Sequence, residues 1–187
     1  MPVTTETREG HKLDLAAEVL SSGGAIRLQA LGTSMLPTIW PSDVLSIVPK
    51  SGHEILSGDI VLVARDGRFF IHRLVEKSNS TWITRGDSVP QDDIPVAQFQ
   101  VLGKVSMIHR KTGDVVPKPR ISPFGRTLAW MFCRSDLFRN LALRMHDAFD
   151  LVAPPSRRQS WGRPRPHWRP QDALRTGGTK PALPEPR

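Results

Sequence analysis

The sequence predicts a mainly β protein. An antiparallel sheet folded into a sandwich or barrel is expected, with a short helix before it and helices after it. Three observations carry this reading. Between residues 25 and 110, short apolar or alternating runs are separated by clusters of Gly, Pro, Asn, Asp and Ser, the pattern of strands joined by tight turns. Asp66-Gly67 stands between two such runs, a strong short-range hairpin signal. After Lys118 the composition changes to apolar residues among arginines, at a spacing closer to that of helices.

Taken in order, residues 1–11 are polar and read as a frayed arm. Lys12 to Ser22 places Leu13, Ala16, Ala17, Val19 and Leu20 near helical spacing, and Gly23-Gly24 stops the helix. Ala25 to Ala30 is a strand leading into a serine-bearing turn at residues 31–38. Pro41-Ser42-Asp43 turns the chain into a strand over Val44 to Val48, which ends at Pro49 to Gly52. Ser57-Gly58-Asp59 precedes a near-continuous apolar strand, Ile60 to Ala64, and the hairpin returns it as Arg68 to Lys77. Ser78-Asn79-Ser80 turns again into Thr81 to Thr84. Gly86-Asp87 opens a polar loop through Asp93. Val101 to His109 is the last long strand, with Lys111 to Asp114 as its turn. Phe124 to Val152 reads as two helices broken at Ser135-Asp136. From Ala153 to Arg187, proline, arginine, glycine and serine dominate, which predicts disorder. The expected organisation is an arm and helix over 1–24, a β-domain over 25–117, a basic amphipathic segment over 118–152 and a tail over 153–187.

The chain has 187 residues, 17 prolines, a formal net charge of +8 and 39% hydrophobic residues. That suits one domain with appendages, or two small domains. The positive charge gathers after Lys118, which points to an anionic partner such as a membrane surface, a nucleic acid or an acidic protein, or to a merely solvated tail. The stretch 124–152 reads equally as helices that cover the sheet or, being basic and amphipathic, as a peripheral contact with an anionic membrane together with the tail. Trp161 and Trp168 lie among Arg163, Arg165 and Arg169, but that pattern alone is too general to make nucleic acid the expected partner. The single cysteine, Cys133, excludes an internal disulfide and a two-cysteine metal site. No cofactor or metal is expected. No run approaches the roughly 18 to 20 apolar residues of a membrane span, and the polar N-terminus lacks the apolar centre of a secretory signal. A cytoplasmic or membrane-peripheral protein is the expectation.

Three polar groups stand out. Ser34 lies in Leu-Gly-Thr-Ser-Met-Leu-Pro-Thr, residues 31–38, between apolar runs. His72 lies inside the apolar strand Phe69-Phe70-Ile71-His72-Arg73-Leu74-Val75. Asp92-Asp93, with Asp87 before them, lie in the loop after the next strand. Singly, each is an ordinary turn, strand or loop residue. Together they supply a hydroxyl, a base to take its proton, and a carboxylate to fix the base's tautomer and stabilise its cation.

At these residues the sequence resembles a known superfamily. Gly32-Thr33-Ser34-Met35-Leu36-Pro37-Thr38 is similar to the nucleophile box of type I signal peptidases, Gly-x-Ser-Met-x-Pro-Thr. Ser57-Gly58-Asp59-Ile60-Val61 resembles the same family's Gly-Asp-[Ile/Val]-Val strand. Ile71-His72-Arg73 resembles the His-Arg motif of the archaeal and endoplasmic-reticulum branch, where histidine replaces the lysine base of common bacterial members and of LexA-type repressors. Residues 84–93, Thr-Arg-Gly-Asp-Ser-Val-Pro-Gln-Asp-Asp, resemble that branch's acidic box. The resemblance covers about residues 25–110. It implies the signal peptidase/LexA-like β-fold and a serine endopeptidase that cuts next to small side chains. Ser34 would be the nucleophile, His72 the general base and Asp93 the triad carboxylate. Asp87 and Asp92 would support the loop. The Ser34 N–H would be an oxyanion donor, with Gly32, Thr33 and Met35 beside it at the substrate cleft.

The departures shape the expectation. Gly32 stands where many members carry a serine that adds a hydroxyl donor. Ser88 replaces the acidic box's asparagine, no cap-like domain interrupts the boxes, and no span anchors the chain. A relative without a membrane anchor, trimming a peptide leader or a dedicated small protein, is therefore expected. A LexA-like self-cleaving regulator would need a DNA-binding module and an Ala-Gly cleavage site ahead of Ser34, but only about 24 residues precede the β-domain and none of them form Ala-Gly. A catalytically idle binding module of the same fold is the other alternative.

Overall fold

The computed structural model describes residues 14–79 and 81–152. The expected arm and tail lie outside them, as does Ser80. A helical segment, α1 (14–21), ends at Gly23 and Gly24. Eight strands follow: β1 (Ile26–Gln29), β2 (Val44–Val48), β3 (Ile60–Arg65), β4 (Arg68–Lys77), β5 (Thr81–Arg85), β6 (Val96–Ala97), β7 (Val101–Arg110) and β8 (Gly113–Val115). Two helices close the described chain, α2 (Pro123–Arg134) and α3 (Asp136–Val152). The strands form one sheet in the order β1-β2-β7-β3-β4-β5-β6, with β8 also on β7. Every pair is antiparallel.

The sheet is organised by its middle strand. Ile60, Val61, Leu62 and Val63 of β3 are all buried. Ile60 and Leu62 join Leu45, Ile47, Val105 and Ile108 in one cluster, whereas Val61 and Val63 join Leu74, Trp82 and Val96 in another. Alternate side chains leave a strand on opposite faces, so a continuous apolar run is what a strand covered on both faces requires. Each such side chain contributes about 1.5–3 kcal/mol when fully buried. Asp66 and Gly67 both take positive φ, 52° and 69°, the backbone of a type I′ turn, and this fixes the β3–β4 register from Arg65↔Arg68 to Ile60↔Arg73.

Most predicted elements recur within a residue or two. Two strands were not anticipated. Lys111 to Asp114 was expected to be a turn, but the turn is confined to Lys111-Thr112, and Gly113 and Asp114 begin β8. β6 is only two residues long. Strands this short have no room for a period and are held by their partners, β7 and β5. The helical break falls at Ser135. Ser122 caps α2 by accepting from the Gly125 N–H at 3.1 Å, with Pro123 at the first helical position, and the Ser135 hydroxyl accepts from the Phe138 N–H at the start of α3. Among the described residues no helix is long and apolar enough to cross a membrane.

Candidate active site

The connection from β1 to β2 carries Ser34. It is closed at its base by two backbone bonds, Ala30 N–H to Asp43 C=O and Ser42 N–H to Ala30 C=O, both 2.8 Å. The Asp43 carboxylate accepts from the Trp40 N–H and binds the Arg110 guanidinium on β7, and Arg110 also donates to the Thr38 carbonyl. The loop therefore leaves and re-enters the sheet at fixed points. From the other side, Ser88 donates its N–H to the Ser34 carbonyl at 2.9 Å and its hydroxyl to the Thr33 carbonyl at 2.8 Å. Gly86 fits against the same turn. A Cβ built there would lie 2.6 Å from the Ser34 carbonyl oxygen, so no residue with a side chain can sit there without moving Ser34.

Three of the predicted residues meet. Ser34 Oγ lies 3.0 Å from His72 Nε2, and His72 Nδ1 lies 2.6 Å from Asp93 Oδ2. A carboxylate can only accept, so Nδ1 carries the ring proton and Nε2 presents its lone pair to Ser34. His72 is on β4 with 9% exposure, among Phe70 and the strand's apolar neighbours. Asp93 is held at the end of the loop by its own N–H, which donates to the Thr84 carbonyl at 2.8 Å. Its Oδ2 also accepts from the Thr84 hydroxyl at 2.7 Å.

The other predicted residues have separate places. Asp87 does not touch His72. It is almost fully buried and binds Arg73 through both oxygens, at 2.8 Å each, while the Thr38 hydroxyl donates to it. Arg73 also donates to the Gly58 and Lys118 carbonyls, which ties the acidic loop to β4 and to the chain entering α2. Asp92 points away from the relay and pairs with Arg85 at 3.2 Å, about half exposed. Gly32, Ser34, Met35 and His72 all line one cleft of about 660 Å³, whereas Thr33 is engaged with Ser88. The cleft lies between Leu28 to Leu31 and Phe69 to His72. Both walls are strand edges. Among the described residues β1 pairs only with β2, and β4 pairs with β5 only from Arg73 onward.

Thr84, Thr38 and Arg110 were not singled out from sequence. Thr84 did leave a signal. It follows Trp82 at the strand period and is likewise buried, and a buried hydroxyl needs a partner.

A second hydrogen-bonded set sharpens the comparison. Ser46 Oγ lies 2.7 Å from His109 Nε2, and His109 Nδ1 lies 2.8 Å from Asp114 Oδ1. Both of its distances lie within hydrogen-bond reach, as in the first set. Its setting differs, because Ser46 is in the middle of β2, paired on both sides, and does not line the cleft. A nucleophile needs an approach path and oxyanion donors as well as a base. The cleft and the turn distinguish Ser34. Among the described residues no cluster of His, Cys, Asp and Glu could hold a metal ion.

An antiparallel sheet with a serine turn against a strand histidine and a loop aspartate defines a candidate serine peptidase of the LexA and signal-peptidase kind. The family model for Peptidase S24-like proteins matches residues 1–106 of 187, and the chain belongs to that family. No curated protein and no solved structure matched the chain in comparison.

Proposed function

We propose that this protein is a serine endopeptidase that cleaves a peptide or leader bond next to small side chains, with Ser34 as nucleophile, His72 as general base and Asp93 as the carboxylate behind it. The observation that carries this reading is the unbroken relay from Ser34 Oγ through His72 to Asp93, opening into a cleft between two unpaired strand edges. An extended peptide laid in that cleft gains backbone hydrogen bonds from either edge. Buried Met35 lies beside the serine, which favours small side chains at the bond.

The chemistry follows from the tautomer. Ser34 Oγ attacks the scissile carbonyl carbon as its proton passes to His72 Nε2. Asp93 stabilises the imidazolium. The Ser34 N–H donates to the oxyanion. His72 then gives its proton to the leaving amine, the C–N bond breaks, and an acyl-serine remains. A water molecule, deprotonated by His72, releases the acid and restores Ser34. The test is cleavage of a peptide library with small residues around the bond, comparing the wild type with Ser34→Ala and His72→Ala. Turnover lost in both variants supports the mechanism. A folded wild-type protein that binds peptides and cuts none would make the fold a binding module instead.

A further inference from the structure

The helices after the sheet carry apolar surface that their packing does not use. On α2, Gly125, Ala129 and Phe132 are buried. Their spacing makes one inward stripe, and Phe132 meets the Trp40 ring edge-on at 6.2 Å. Trp130 is turned away from that stripe and is 62% exposed. Arg126 and Arg134 sit one helical turn before and after it, both exposed, and α2 contains no carboxylate. On α3, Leu137, Leu141 and Arg144 share an outer stripe at i, i+4 and i+7, and Leu137 is 83% exposed. Phe138 and Met145 turn instead toward a groove shared with Trp40 and Phe132. α2 carries two arginines and no acid, whereas α3 carries two arginines and three aspartates, with Arg139 paired to Asp136.

We infer that α2 and α3 form a docking surface for an anionic lipid bilayer. An exposed tryptophan bracketed by arginines suits the boundary between headgroups and acyl chains. The indole sits at that boundary, and the guanidinium groups reach the phosphates while their stems cover apolar surface. The charge selects the occupant. A bilayer containing anionic lipid complements the acid-free, arginine-bearing face of α2, whereas the same face of a second copy would repel it. The surface also adjoins the serine loop, since α2 starts beside Pro37 and packs on Trp40. Docking through α2 therefore holds the chain to the lipid by the helix that braces the loop carrying Ser34. This inference is independent of whether Ser34 is catalytic.

Co-sedimentation of the full chain with phosphatidylcholine vesicles, with and without phosphatidylglycerol, tests it. Binding is expected only with the anionic lipid, and weaker at high salt. Arg126→Gln and Arg134→Gln should each weaken it about fivefold. The triple variant Trp130→Ser, Leu137→Ser, Leu141→Ser should weaken it by about tenfold or more. These side chains are exposed, so thermal melting should be nearly unchanged. If the triple variant fails to fold, the two arginine variants and the vesicle-induced blue shift lost in Trp130→Phe decide the matter. Absence of vesicle binding overturns the inference. So does binding that survives the helix variants and is lost in Arg163→Gln, Arg165→Gln, Arg169→Gln. Self-association relieved by the triple variant, with no lipid binding, overturns it as well.

Discussion

Thr84 and His72 share one oxygen of Asp93. The threonine hydroxyl donates at 2.7 Å and the imidazole Nδ1 at 2.6 Å. Thr84 is buried at the end of β5, and its own carbonyl accepts from the Asp93 N–H. It thus holds the carboxylate by both backbone and side chain, as a positioning residue would in the proposed mechanism. Thr84→Val keeps the shape and removes the hydroxyl. The loss of one hydrogen bond to a charged group should cost about 1.5–3 kcal/mol. With that loss divided between stability and orientation, kcat should fall about tenfold at unchanged KM. Steady-state peptide cleavage checks this, and Thr84→Ser should recover most of kcat, which a purely steric role would not predict.

Two adjacent aspartates make opposite predictions. Asp93→Asn offers the ring an amide in place of a carboxylate, so the tautomer with Nε2 free for Ser34 is no longer enforced. By analogy with other Ser-His-Asp sites, kcat should fall about 10³–10⁴-fold. Asp92→Asn removes only a half-exposed pair with Arg85, worth about 0–1 kcal/mol, and should leave kcat within about twofold. Equal losses from both variants would place the relay elsewhere.

Gly86 holds its position by contact rather than chemistry. In Gly86→Ala the new methyl would meet the Ser34 carbonyl oxygen at 2.6 Å and Ser34 Cβ at 3.0 Å. Backbone cannot rotate aside as a flexible side chain can, so either the acidic loop or the serine turn must shift. A displacement of about 1 Å at a reacting group can cost about 100-fold, and overpacking typically costs about 1–3 kcal/mol. A drop in kcat well beyond the loss of thermal stability is expected, measured by cleavage and calorimetry on the same preparation.

Much of this was legible in the sequence, for physical reasons. Val44–Val48 and Arg68–Lys77 match the expected strands residue for residue, because turn residues bound them and Asp66-Gly67 sets the β3–β4 register. Ser34, His72 and Asp93 were picked out together, since each lies in a local motif. What escaped depends on tertiary pairing. β6 and β8 exist only because longer strands accept their hydrogen bonds. The path from Arg110 through Thr38 to Asp87 joins residues up to 72 positions apart, with no local pattern to announce it. The difference between Asp87 and Asp92 was equally hidden. The resemblance implied Asp87 and Asp92 alike as supports of the loop, but only the fold shows one buried on Arg73 and the other at the surface with Arg85.

The second Ser-His-Asp set provides an internal control. Ser46, His109 and Asp114 repeat the hydrogen-bonded order of the candidate site without its cleft or its turn. If hydrogen-bond geometry alone made a serine reactive, a fluorophosphonate probe would label both serines. The expected result is labelling of the wild type and of Ser46→Ala, and none of Ser34→Ala. Persistent labelling of Ser34→Ala that Ser46→Ala abolishes would mean that the cleft and turn around Ser34 do not select the reactive serine.

Gly32 is where the site has room to improve. In many of the resembling peptidases a serine two residues before the nucleophile can add a hydroxyl to the oxyanion hole, and here that position is glycine. Gly32 lines the cleft beside Ser34, and a Cβ built on it meets nothing within 4 Å. Gly32→Ser should therefore be accommodated without strain, and glycine's extra freedom in the unfolded chain should make it slightly stabilising. Removing one oxyanion donor from a comparable site costs about 10²–10³ in kcat. Adding one to a loop not shaped around it should recover part of that, so kcat should rise about tenfold with KM little changed. Gly32→Ala is the matched control, with the same backbone restriction and no hydroxyl. A gain in the serine variant alone would assign the effect to the new donor. An equal gain in both would assign it to a stiffer loop, and a loss in both would show that the open space beside Gly32 is filled by substrate.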